Sequence, residues 1–151
     1  MLRFFIVLTS LVFFSCSNTI KLTEEEMRTI AHESNAKLEK AFLSKDLSGL
    51  ADIYDENARL SPNGDHFYAG RDEIRGFWKT DFESSTLLKM NTNTMSVSGN
   101  AEVIYETGIT TTESMLKDSS IYKGAVKFIN VWKRQPDNSY RLAIDFWNSG
   151  D

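Results

Sequence analysis

Apolar positions recur every three or four residues along the first half of the chain and every second residue along much of the rest. Met27, Ile30, Ala31, Leu38, Ala41 and Phe42 share one face of a helix that runs to about Leu43. Thr23-Glu24-Glu25-Glu26 opens it as a capping box, with hydroxyl and carboxylate each taking a free amide of the first turn. The three acids also complement the helix dipole. Asp46 caps a second, shorter helix with Leu47, Leu50, Ala51 and Tyr54 on its apolar side. Ala58 to Leu60 and His66 to Tyr68 flank a Ser-Pro-Asn-Gly-Asp turn, which predicts a small hairpin. After Gly70 a third helix, Asp72 to about Phe82, buries Ile74, Phe77 and Trp78.

From Thr86 the period changes. Thr86 to Ser98, Ala101 to Thr112, Ile121 to Arg134 and Tyr140 to Asn148 are long runs rich in β-branched and aromatic residues. Gly99-Asn100 can make a two-residue hairpin turn, and Pro136 to Ser139 a four-residue loop. Helices followed by an antiparallel meander predict an α+β fold with the helices on one face of a sheet. If Gln135 pairs with Tyr140, Trp132 opposes Ala143, Asn130 opposes Asp145 and Phe128 opposes Trp147 on one side. Ile129, Val131, Ile144 and Phe146 then occupy the other. Both faces are apolar, so one belongs on the helices and the other on a partner, which predicts a homodimer.

The N-terminus carries Arg3, then an apolar run from Phe4 to Phe14 broken by Thr9 and Ser10. This is a secretory layout, too short for a membrane span of roughly 20 apolar residues. The single cysteine, Cys16, follows Phe13-Phe14-Ser15 and resembles the lipobox of bacterial lipoproteins, with Phe13 where leucine is usual. An ordinary cleaved signal with an incidental cysteine is the other reading. The expected division is therefore a signal peptide over 1–15, lipidated Cys16 with a tether over 16–22, and one domain over 23–151. A diacylglyceryl group supplies two chains, enough for stable membrane attachment at the cell envelope. Such a protein has no thiol left for a disulfide, so packing alone must hold the domain. Of 17 basic residues the mature chain loses Arg3, leaving a net charge of −5 against 21 acids. With no basic cluster, nucleic-acid binding is not expected.

The order of local motifs then becomes informative. Ala41-Phe42-Leu43-Ser44-Lys45-Asp46-Leu47, Tyr54-Asp55-Glu56-Asn57-Ala58, Gly70-Arg71-Asp72-Glu73-Ile74 with Phe77-Trp78, and Val131-Trp132-Lys133 followed by Tyr140 to Asn148 together resemble the SnoaL-like, ketosteroid-isomerase-like branch of the nuclear transport factor 2-like superfamily. The resemblance covers nearly all of the chain after the signal. It implies a cone: a strongly curved antiparallel sheet wrapped around three helices, a pocket at the open end, and commonly a homodimer through the sheet. It does not imply one activity, because isomerases, cyclases, hydrolases, dehydratases and non-catalytic domains share the fold.

The isomerase uses a tyrosine, a protonated aspartate and an aspartate base. By resemblance these positions hold Leu38, Asn130, and Ser61 or Pro62. Leucine donates no hydrogen bond, and neither serine nor proline takes a proton from carbon at neutral pH, which disfavours that mechanism. What remains is a polar pair, Asn130 and Asp145, among Phe128, Trp132 and Trp147, the composition of a small-molecule pocket. Desolvation should raise the pKa of Asp145, making it the candidate acid-base, unless it merely satisfies itself on Asn130 or a backbone amide. Tyr54 is read as core with its hydroxyl at the rim and is a further candidate ligand contact. Glu106 would lie beside Asn93 and is equally well explained by an exposed face. His32 and His66 stand apart with no metal-ligand spacing, and no cofactor motif is present. Three functions fit: a binder of a small, mostly apolar ligand, a SnoaL-like enzyme, or a dimeric adaptor.

Overall fold

The computed structural model describes residues 21–150. The expected signal, Cys16 and the tether as far as Ile20 lie outside the described residues. Helix α1 (Glu24–Leu43) is followed by α2 (Leu47–Ile53), strands β1 (Tyr54–Ser61) and β2 (Tyr68–Ala69), α3 (Arg71–Ser84), and the long strands β3 (Ser85–Gly99), β4 (Val103–Leu116), β5 (Ile121–Arg134) and β6 (Tyr140–Ser149). The local chemistry forms as the sequence predicts. Thr23 Oγ1 accepts from the Glu26 amide while Glu26 Oε2 accepts from the Thr23 amide at 2.7 Å, and Asp46 caps α2 through the Gly49 amide at 2.9 Å.

Six strands form one curved, open sheet in the order β2-β1-β6-β5-β4-β3. Every pairing is antiparallel except that β1 joins β6 in parallel, bringing the end of α2 against the middle of the sheet. The helices lie on the concave side. Leu50, Tyr54, Leu60, Ile74, Ile104, Trp132 and Leu142 are fully buried between the two layers.

Two details depart from the expected register. The β3–β4 turn is wider than a two-residue hairpin: Ser98 pairs with Tyr105, and Asn100 Oδ1 accepts from the amides of Glu102 and Val103. Glu106 therefore opposes Val97 rather than Asn93, and it points inward, fully buried. At the other turn Arg134, not Gln135, pairs with Tyr140, and Trp132 opposes Leu142 rather than Ala143. A bulge at Ala143 then shifts the register by one residue, so Val131 pairs with Ile144, Asn130 with Asp145 and Phe128 with Trp147. Without that extra residue, alternation from buried Leu142 would turn Ile144 inward and Asp145 outward.

Candidate functional site

The inner face of the sheet is arranged in transverse rows. Nearest the narrow end, Ile104, Trp132 and Leu142 form a closed apolar layer. The next row is polar: Glu106 on β4, Asn130 on β5 and Asp145 on β6, paired in register and all buried. Beyond it Gly108, Phe128 and Trp147 make an aromatic row, and Thr110 and Thr112 lead toward the mouth. A β-carbon on Gly108 would sit 2.6 Å from the Phe128 ring, so glycine is what lets that ring lie across β4.

Above these rows the helices leave a cavity of about 420 Å³, open at one end. Its floor includes Asn35, Asn130 and Asp145. Leu38, Phe42, Trp78, Phe82, Phe128 and Trp147 line its walls, and threonine and serine hydroxyls of β4 line the mouth. The cone is thus not filled by its own aromatics. Phe128 and Trp147 stand in the wall, whereas Trp132 lies beneath the floor and Tyr54 behind Asp145, so neither of these two lines the cavity. Leu38 is part of the wall, while Ser61 and Pro62 are buried at the end of β1 and do not line it.

Asp145 does not bond to Asn130. Its Oδ2 accepts from the Tyr54 hydroxyl at 2.7 Å, and the Tyr54 hydroxyl oxygen in turn accepts from Trp78 Nε1 at 3.0 Å. Tyr54 is held from the other side by Arg71, whose guanidinium donates to the Tyr54 carbonyl at 2.8 Å. The relay fixes the carboxylate with two neutral donors in series and no cation. Burial raises the Asp145 pKa to about 6, partly opposed by the tyrosine hydrogen bond. Burial and the neighbouring Asp145 carboxylate push Tyr54 well above its ordinary value, so it holds Asp145 as a neutral phenol and does not give up its own proton.

A second buried carboxylate was not expected. Glu106 Oε1 accepts from Asn35 Nδ2 at 2.7 Å and Thr94 Oγ1 at 2.6 Å, and Oε2 accepts from Trp132 Nε1 at 2.8 Å. Two signals in the sequence point to it. Glu106 is the one charge in Val103 to Thr112, and the apolar stripe of α1 has a gap between Ala31 and Leu38 where Ser34 and Asn35 are buried. Two acceptors remain without partners: Asn35 Oδ1 and Asn130 Oδ1. Among the described residues no cluster of three His, Cys, Asp or Glu side chains could hold a metal.

No family model matches the sequence, and no curated protein matches it either. Solved structures do. A ketosteroid isomerase-like protein from Erwinia carotovora atroseptica SCRI1043 superposes with a TM-score of 0.74 at 17% identity, over 85% of this chain and 99% of that one. A candidate dehydratase of the NTF2-like family from Streptomyces avermitilis gives 0.69 at 14% identity, over 83% of this chain and 97% of the other. A Catenulispora acidiphila protein, in complex with S-DNPA, gives 0.72 at 12% identity, over 82% and 92%. At these identities the likeness speaks to architecture. The chain has the nuclear transport factor 2-like fold, a curved sheet around three helices with the cavity between them.

Proposed function

We propose that this protein is an exported, membrane-anchored lipoprotein whose domain binds a small, mostly apolar molecule in the cone. The cavity of about 420 Å³ carries the reading: aromatic and aliphatic walls converge on a few fixed polar groups, the usual composition of a small-molecule site. One structural neighbour was solved in complex with S-DNPA, and ligand binding is proposed here for the cone of this chain. The anchor rests on the Phe4–Phe14 run and Cys16; intact-mass analysis of the mature N-terminus tests it, and an unmodified or missing Cys16 removes it.

The cavity is tested with a neutral apolar fluorophore, N-phenyl-1-naphthylamine, titrated into the full-length chain. One saturable site is expected. Val126→Trp, which places an indole in the cavity from β5, should abolish it while the protein remains folded. Binding that is unsaturable, or indifferent to Val126→Trp, excludes the cone as the site.

A second reading is catalytic. A carboxyl titrating near 6, held by Tyr54 and exposed to a cavity, has the poise of a general acid-base. The wall offers no tyrosine to stabilise an oxyanion from α1, where Leu38 stands. Any such reaction would therefore rest on Asp145, with Asn130 as the orienting group.

A further inference from the structure

The floor of the cavity is chemically one-sided. Asn35 must turn its NH2 toward Glu106, because a carboxylate only accepts; the amide oxygen is what remains, and it has no partner. Asn130 lies in register between Glu106 and Asp145 without a hydrogen bond to either, and its oxygen is also buried and unpartnered. Both side chains are more than nine-tenths buried and line the cavity. Asp145 receives one hydrogen bond, from Tyr54, which leaves its second oxygen free to accept. Buried acceptors of this kind are costly unless something donates to them, on the order of 1–3 kcal/mol each.

The charge is equally one-sided. None of the described residues lining the cavity is Lys, Arg or His. The groups packed around Asp145 from β1, α3 and β5 are Tyr54, Trp78 and Asn130, all uncharged. Glu106, the next carboxylate, is met by three neutral donors. At the rim Asp81 has Lys45 close by, and that ammonium donates to the carbonyls of Phe82 and Ser85. The unmatched charge in the cone is therefore Asp145.

We propose, resting on the ligand-binding reading above, that the cavity takes an apolar molecule carrying a protonated amine, with Asp145 as its counter-ion. An ammonium group brings a charge opposite to that of Asp145 and N–H donors for its free oxygen. An alcohol supplies one donor and no charge. A carboxylate would meet acceptors and like charge. The walls suit the same ligand: Trp78, Trp147 and Phe128 line the cavity, and aromatic rings both attract a cation and cover its hydrocarbon body.

The test displaces N-phenyl-1-naphthylamine from the full-length protein with three matched probes, 4-phenylbutylamine, 4-phenylbutan-1-ol and 4-phenylbutanoate. At pH 7.5 the amine should bind at least tenfold more tightly than the alcohol, and the carboxylate most weakly. The amine's advantage should vanish in Asp145→Asn, an isosteric change that keeps an acceptor for Tyr54. It should also shrink at pH 5, below the Asp145 pKa of about 6, where Tyr54 stays neutral and the amine stays charged. Equal binding of amine and alcohol, tightest binding of the carboxylate, or displacement by none of the three overturns the amine assignment while dye binding leaves the cavity reading standing. Failure of the dye itself removes both.

Discussion

Asp145 carries opposing demands, because the burial that makes it useful in a cavity also makes its charge unfavourable in the folded chain. Its pKa rises from an ordinary value of 3.8 to about 6, so between those values the folded state holds a proton that the unfolded state releases. The stability this group contributes is present at pH 4, falls as pH rises toward 6, and is absent at pH 7. The shift corresponds to about 3 kcal/mol. Asp145→Asn should therefore be more stable than the parent at pH 7 by about 1–3 kcal/mol, with the difference closing near pH 4. Urea unfolding across that range measures it; a variant less stable at pH 7, or a difference independent of pH, would count against a desolvated carboxylate. Asn130 was legible from the strand pattern, as a polar residue between Phe128 and Trp132, whereas the inward place of Asp145 depends on the bulge at Ala143. Glu106 was not legible, because its partners Asn35, Thr94 and Trp132 come from three other elements and no local pattern joins them.

At the scale of elements, the caps and the breaks were readable because their causes are local. Thr23 with Glu26 and Asp46 with Gly49 satisfy amides within a few residues of themselves. The bulge at Ala143 was not readable, since it depends on how β6 meets β5. Its effect was hidden by a second error: starting the β5–β6 pairing one residue late on β5 gave the same partners for Asn130 and Phe128 that the bulge restores. Gly108 shows the same dependence on tertiary packing. In isolation it weakens a strand, yet in the sheet a β-carbon there would lie 2.4 Å from the Asn93 carbonyl and against the Phe128 ring. Gly108→Val should cost about 1–3 kcal/mol by overpacking, and should push Phe128 off β4 into the cavity. Thermal melting together with dye affinity tests this, both being expected to fall. A variant that melts and binds like the parent would show that the ring has room to move aside.

For the whole molecule, the three helices cover one face of the sheet and leave the other bare. On that bare face Tyr105 opposes Val131, Val131 opposes Ile144, and Ile129 opposes Phe146, forming one continuous apolar patch across β4, β5 and β6. Ile129 remains 46% and Ile144 41% exposed at the centre of a sheet, where side chains of this kind are normally covered. Charged residues border the patch on this face, with Arg59 of β1 opposite Ile144, Lys127 next outward from Ile129, and Lys133 paired to Arg141 beyond Val131. The covering partner proposed is a second copy of the chain, since one patch placed on its own twofold mate is complementary without any further component. Sedimentation equilibrium of the full chain in detergent should then give twice the chain mass at micromolar concentration. The double change Ile129→Lys and Ile144→Lys should give the single mass, because like charges would face each other across an apolar interface. The cavity opens on the opposite face of the sheet, so the monomeric variant should still bind N-phenyl-1-naphthylamine. A parent chain that sediments as a monomer removes the homodimer, and a monomeric variant that loses the dye would mean that the cone needs its partner to stay open.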